Sequence, residues 1–156
     1  MKARKVEGLK ARTPLRDNAA QIIATRLDEL RSFAPRALVR DESQAQHDMR
    51  IAAKRLRYVL ETVGVCFGDP ADDGRRAARD VQTLLGDIHD CDVLIAMVEE
   101  HTSGPQAPAS DHGFELLVAR TVQRRDELHA DFDALWSRLD RDGVWSRLDE
   151  AVASAG

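Results

Sequence analysis

Apolar residues return every three to four positions along most of this chain, and no stretch alternates convincingly as a strand does. Ala19, Ile23, Leu27 and Leu30 outline a first amphipathic helix, with Thr13 as its cap and Pro14 in its first position. Pro35 is expected to end or kink it. Asp41, Glu42 and Ser43 offer capping chemistry for a second helix that runs to about Val63 and is closed by Gly64. GDPADDG, residues 68–74, reads as a turn cluster. A third helix follows, with Val81, Leu84, Leu85 and Ile88 on one side, and continues to about Glu100. SGPQAPAS, residues 103–110, is the most loop-like stretch. Phe114, Val118, Thr121, Leu128, Phe132 and Leu135 mark a fourth helix. Asp142-Gly143 breaks it before a short tail helix carrying Val144, Trp145, Leu148 and Val152. The pattern predicts an all-α fold, an antiparallel helical bundle of about four long helices plus a short C-terminal helix. Residues 1–12 form a basic N-terminal segment and residues 13–156 a single helical domain.

Composition agrees with helices: 32% of residues are charged and only 4% aromatic, which suits solvent-lined helices better than sheet. No apolar run approaches the ~20 residues that span a bilayer. The opening MKARKVEGLK carries charge with no hydrophobic core behind it, so it does not read as a secretory signal. Cys66 and Cys91 have no paired spacing. The expectation is a reduced, cytoplasmic protein with no membrane partner.

Charge is where the sequence becomes unusual. The formal net charge is −4, yet residues 46–58, QHDMRIAAKRLRY, hold His47, Arg50, Lys54, Arg55 and Arg57. At about 100° per helical residue, Arg50, Lys54, Arg57, Tyr58 and Glu61 fall between about −80° and +20° of His47. Ala52, Leu56, Val59, Leu60 and Val63 fall on the opposite face, with Ile51 and Arg55 between. Glu61 is the only carboxylate in the cationic stripe, so pairing one turn apart does not explain it. The third helix repeats the arrangement: Arg79, Gln82, Gly86 and His89 stay within about 40° of Arg75. Gly86 costs a helix roughly 1 kcal/mol against Ala, and it leaves room either for a ligand or for a close neighbouring helix. Arg125 lies in the apolar stripe of the fourth helix, where it either lines a wet cavity or pairs internally with an aspartate. A groove gathering these groups would bind phosphate oxygens through forked guanidinium contacts.

HDMRIAAKRLRYVLE (47–61), followed by LLGDIHDCDVL (84–94), resembles the CHAD domains, the conserved histidine α-helical domains. The resemblance extends more loosely to the first helix and to the segment near Trp136. It implies an all-helical fold and binding of inorganic polyphosphate through a basic surface or cavity, often alongside triphosphate-processing domains. It implicates His47, Arg50, Lys54, Arg55, Arg57 and His89, while Arg79 and Arg125 come from the angular reading alone. A full member carries two copies of the His-x-x-Arg block in two bundles related by a two-fold. The single copy here resembles the second, which leaves a half-domain or a homodimer that rebuilds the two-fold.

Two rival readings suit parts of the sequence. His47-Asp48 and His89-Asp90 spell the dipeptide of helical metal-dependent phosphohydrolases, but Arg50, Lys54 and Arg57 would repel a divalent cation. His89-Asp90-Cys91-Asp92 cannot all face one zinc ion from a single helix. A nucleic-acid binder would use the same stripe, yet aromatics for stacking are few and the pI is near 5.7. The expectation is therefore a non-enzymatic polyphosphate-binding domain, without cofactor, metal or catalytic residue, that directs the protein to polyphosphate granules. His47 and His89 would strengthen binding once protonated.

Overall fold

A computed structural model of the chain describes residues 1–104 and 112–154. Five α-helices follow one another: α1 Leu15–Ala37, α2 Ser43–Val63, α3 Asp69–Ser103, α4 His112–Arg141 and α5 Val144–Ala153. No strand occurs among the described residues. Helix α1 packs on α2, α2 on α3 and α3 on α4, while α5 closes the bundle against α1, α3 and α4. Each long pair is antiparallel. Arg55 of α2 reaches Glu29 of α1, while the Gln46 amide donates to the Ala37 carbonyl at the other end. On α3, Gly74 lies by Leu60 and Gly86 by Arg50 of α2. No helix is long and apolar enough to cross a membrane among the described residues.

The core joins the apolar stripes of all five helices, with Ile23, Leu27, Leu56, Leu85, Ile88, Phe132, Trp145 and Leu148 fully enclosed. Burying side chains of this size contributes about 1.5–3 kcal/mol each, which is what holds helices of such high charge content together. Pro35 sits within the last turn of α1, which ends two residues later at Ala37.

Several boundaries differ from the expectation. The cluster at 68–74 is not a turn: only Gly68 stands outside the helix, with φ of 62°, and α3 begins at Asp69. Pro70 fits the first turn because its missing N–H is not needed there, and Asp69 and Asp72 complement the positive end of the helix dipole. Helix α2 does end at Val63 with Gly64 as its C-cap, but in right-handed geometry, and the chain continues through a 3-10 turn, Gly64–Phe67, to Gly68. Thr13 does not cap α1; its hydroxyl donates to the Lys10 carbonyl instead. Ser43 begins α2 without any side-chain cap. Helix α3 runs past Glu100 to Ser103, and the loop expected over 103–110 lies from residue 105 onward outside the described residues.

A candidate anion-binding seam between α2 and α3

The cationic stripe of α2 and the polar stripe of α3 meet. The His47 and His89 rings face one another across the two helices, with centroids 4.9 Å apart and planes tilted by 48°. One turn along, Arg50 lies against Gly86, so close that a Cβ there would sit 3.4 Å from its Nε. Nothing else comes within 4 Å of that added atom, so Gly86 makes room for the Arg50 side chain and not for a backbone. Lys54 is exposed on the outer edge of the seam, its ammonium 5.7 Å from the Tyr58 ring centroid. Arg57 covers the same ring at 4.6 Å. Its Nε also approaches Glu61 Oε1 at 3.4 Å, an ion pair without hydrogen-bond alignment.

What distinguishes this seam is unmet hydrogen bonding. Among the described residues, the buried side-chain polar atoms without a partner are His47 Nδ1, Arg50 Nε, Arg57 Nε, Gln82 Oε1 and Trp145 Nε1. All but the last belong to these two facing stripes. Such atoms normally find partners, because leaving one buried and unpaired costs about 1–3 kcal/mol. At the top of the seam Ser43, Gln44, His47, His89, Asp92, Val93 and Ala96 line a depression of about 400 Å³. Asp92 is the acidic member of that wall, and the Arg125 guanidinium holds its carboxylate.

Three of the expected site residues point elsewhere. Arg55 faces α1, where its guanidinium bonds Glu29 Oε1 at 3.0 Å and the Met1 carbonyl at 2.9 Å. Arg125 takes the internal-pair alternative: 6% exposed, it binds Asp92, the Arg40 carbonyl, Ser43 Oγ and Gln46 Oε1. Arg79 is exposed, bonds Asp80, and lines a separate depression between α3 and α4 with Asp131 and Arg138. The seam therefore gathers His47, Arg50, Lys54, Arg57 and His89. It adds Gln82 and Gly86, which the angular reading put on the stripe, Gly86 as room for a ligand or a neighbouring helix.

Elsewhere, ionisation is perturbed only at structural contacts. Hydrogen bonding from Arg40 holds the Asp126 carboxyl below its ordinary value, and Arg76 does the same for Asp73. Burial, aided by Asp92, raises the Cys91 thiol above its usual range, which makes it an inert neighbour and not a nucleophile. No three His, Cys, Asp or Glu side chains among the described residues come together as a metal-holding group.

A family model described as CHAD domain matches residues 2–99, which takes in α1, α2 and most of α3. None of the curated proteins and none of the solved structures gives a match.

Proposed function

The chain belongs to the CHAD domain family, and from that premise we propose that it binds inorganic polyphosphate, without catalysis, in the seam between α2 and α3. The family is associated with polyphosphate binding. The observation that carries the reading here is the gathering of Arg50, Lys54 and Arg57 beside the His47–His89 pair, with His47 Nδ1, Arg50 Nε and Arg57 Nε all lacking a hydrogen bond. A chain of phosphates offers oxygens to these cationic side chains, and charge-assisted bonds of this kind contribute about 1.5–3 kcal/mol apiece. Acidic surface elsewhere would confine a polyanion to this seam, since the protein as a whole carries −4. The reading includes recruitment to polyphosphate granules, a cytoplasmic location that suits the free thiols of Cys66 and Cys91, and pairing of two chains into a homodimer.

The test is titration with polyphosphates of increasing length at two salt concentrations, comparing the protein with a triple variant, Arg50→Ala, Lys54→Ala and Arg57→Ala. Affinity should rise with chain length, weaken with salt and fall at least a hundredfold in the variant. Turnover of a short phosphate ester that a chelator abolishes would overturn the non-enzymatic reading, and DNA that polyphosphate cannot displace would favour nucleic acid.

A further inference from the structure

The basic N-terminal segment is not a loose tail. Its backbone is fastened along α1 and then across to α2. At its far end the Lys10 N–H donates to Asn18 Oδ1 at 3.0 Å, and Asn18 Nδ2 returns a bond to the Lys10 carbonyl at 3.0 Å. Midway, the Arg4 N–H donates to Glu29 Oε1 at 3.1 Å, and Arg26 donates to the Arg4 carbonyl at 2.9 Å. At the near end, Arg55 of α2 donates to the Met1 carbonyl at 2.9 Å.

Glu29 is the latch. It is 1% exposed, and its carboxylate accepts from Arg26 at 2.7 Å, Arg55 at 3.0 Å and the Arg4 backbone. A buried carboxylate is costly unless it is paired and hydrogen-bonded, and here the strap itself supplies one of the partners. Arg55 thus joins the strap to the helix that carries the seam.

The strap brings charge with it. Residues 1–12 hold Lys2, Arg4, Lys5, Lys10 and Arg12 against a single acid, Glu7. Arg4 pairs with Asp28, whereas Lys2 and Lys5 are exposed and belong to no ion pair recorded among the described residues. On α2, Arg55 stands at about +80° from His47 while Lys54 stands at about −20°. The exposed face of α2 between the seam and the strap is therefore one helix wide, about 10 Å, with Lys54 and Tyr58 upon it. Cations lie on both sides of that face and in its middle.

We propose that residues 1–5 form a docked second contact for the same polyanion, with Lys2 and Lys5 engaging only chains long enough to leave the seam and cross α2 at Lys54. The proposal rests on the polyphosphate reading and adds to it a source of chain-length selectivity. A short phosphate oligomer is held by the seam alone. A long one meets a second cationic patch at high effective concentration, because the strap is already ordered and no chain entropy is lost in recruiting it.

Binding of inorganic tripolyphosphate and of long-chain polyphosphate is measured at several salt concentrations for three forms: the intact protein, Lys2→Ala/Lys5→Ala, and Lys10→Ala/Arg12→Ala. The last removes the same charge from the remote end of the strap. All four positions are exposed, so folding should be untouched. Lys2→Ala/Lys5→Ala should leave tripolyphosphate affinity within twofold and weaken long-chain binding about tenfold. Its salt slope should become shallower by about 1.4, since each phosphate neutralised on a flexible single strand contributes about 0.7. Lys10→Ala/Arg12→Ala should stay within twofold on both ligands. Equal loss on both lengths, no loss on either, or the same effect from the remote pair would overturn the proposal. An intact protein that binds neither ligand would instead remove the polyphosphate reading itself. An intact protein that binds both ligands, with Lys2→Ala/Lys5→Ala binding both equally well, would leave that reading standing and the strap without a role.

Discussion

At the scale of single residues, Gly86 separates a binding role from a packing role. Close helix packing would put neighbouring backbone or core side chains against its Cα, as happens at Gly74, where an added Cβ would meet Leu148 Cδ2 at 2.9 Å. At Gly86 the added atom meets only Arg50 Nε, at 3.4 Å, the end of a flexible side chain and one of the unpartnered donors. Gly86→Ala should therefore stabilise the protein by up to about 1 kcal/mol through helix propensity. The new methyl also covers the Arg50 donor, so polyphosphate affinity should fall about three- to tenfold. Urea unfolding and titration read the two effects separately, and a loss of stability would return Gly86 to the packing class. The stripe containing Gly86, Gln82 and His89 was legible in the sequence because helical angles follow from numbering alone. Helical angles place Gln82 on the stripe, but they do not show that its Oε1 is buried without a partner beside the arginines.

At the scale of elements, periodicity located all five helices, but it assigns a face without saying what lies opposite. That is why Arg55 and Arg125 read as groove candidates. Their partners, Glu29 and Asp92, are 26 and 33 positions away in the chain, and nothing in spacing links them. The start of α3 departs from the expectation for a different reason: Asp, Pro and Gly mark turns, yet Pro and Asp also favour a first helical turn. Arg125 shows what such pairs do for the architecture. It ties α4 to Asp92 on α3, to the α1–α2 corner at the Arg40 carbonyl, and to Ser43 and Gln46 on α2. Gln46 in turn donates to the carbonyls of Val39 and Arg40, so the corner depends on the same knot. Arg125→Leu should destabilise the fold by about 3 kcal/mol, the lower end for a broken buried pair, because Asp92 is partly exposed and can rehydrate. Pairing it with Asp92→Leu should restore most of that loss. Thermal unfolding checks both, and a double variant as unstable as the single would place the cost in the corner carbonyls and not in the ion pair.

At the scale of the whole molecule, the four long helices are unequal, and the surplus is apolar. The start of α2, at Ser43, meets α3 near Val93 and Ala96, yet α3 continues to Ser103 alongside the opening turns of α4. Leu94, Met97, Leu116 and Leu117 are exposed in this overhang, Met97 to 61%. Charge is divided between its two helices. From Asp80 to Gly104 the chain holds six acids and no lysine or arginine, whereas α4 exposes Arg120 and Arg124 early in its length. In the proposed homodimer α3 of one copy would lie on α4 of the other about a two-fold axis, Glu99 and Glu100 facing Arg120 and Arg124. The proposed homodimer would use this overhang, leaving the α2–α3 seam and the strap of each copy open to the ligand. Sedimentation should give a dimer for the intact protein and a monomer of unchanged helicity for Leu94→Glu/Met97→Glu. Because acids already line α3, the new glutamates act by removing apolar contact and also by meeting further acids across the axis. Leu94→Lys/Met97→Lys removes the same contact with opposite charge, and should dissociate the dimer less completely if the charge division matters. A strictly monomeric intact protein at working concentration would remove the homodimer and leave the seam to act singly.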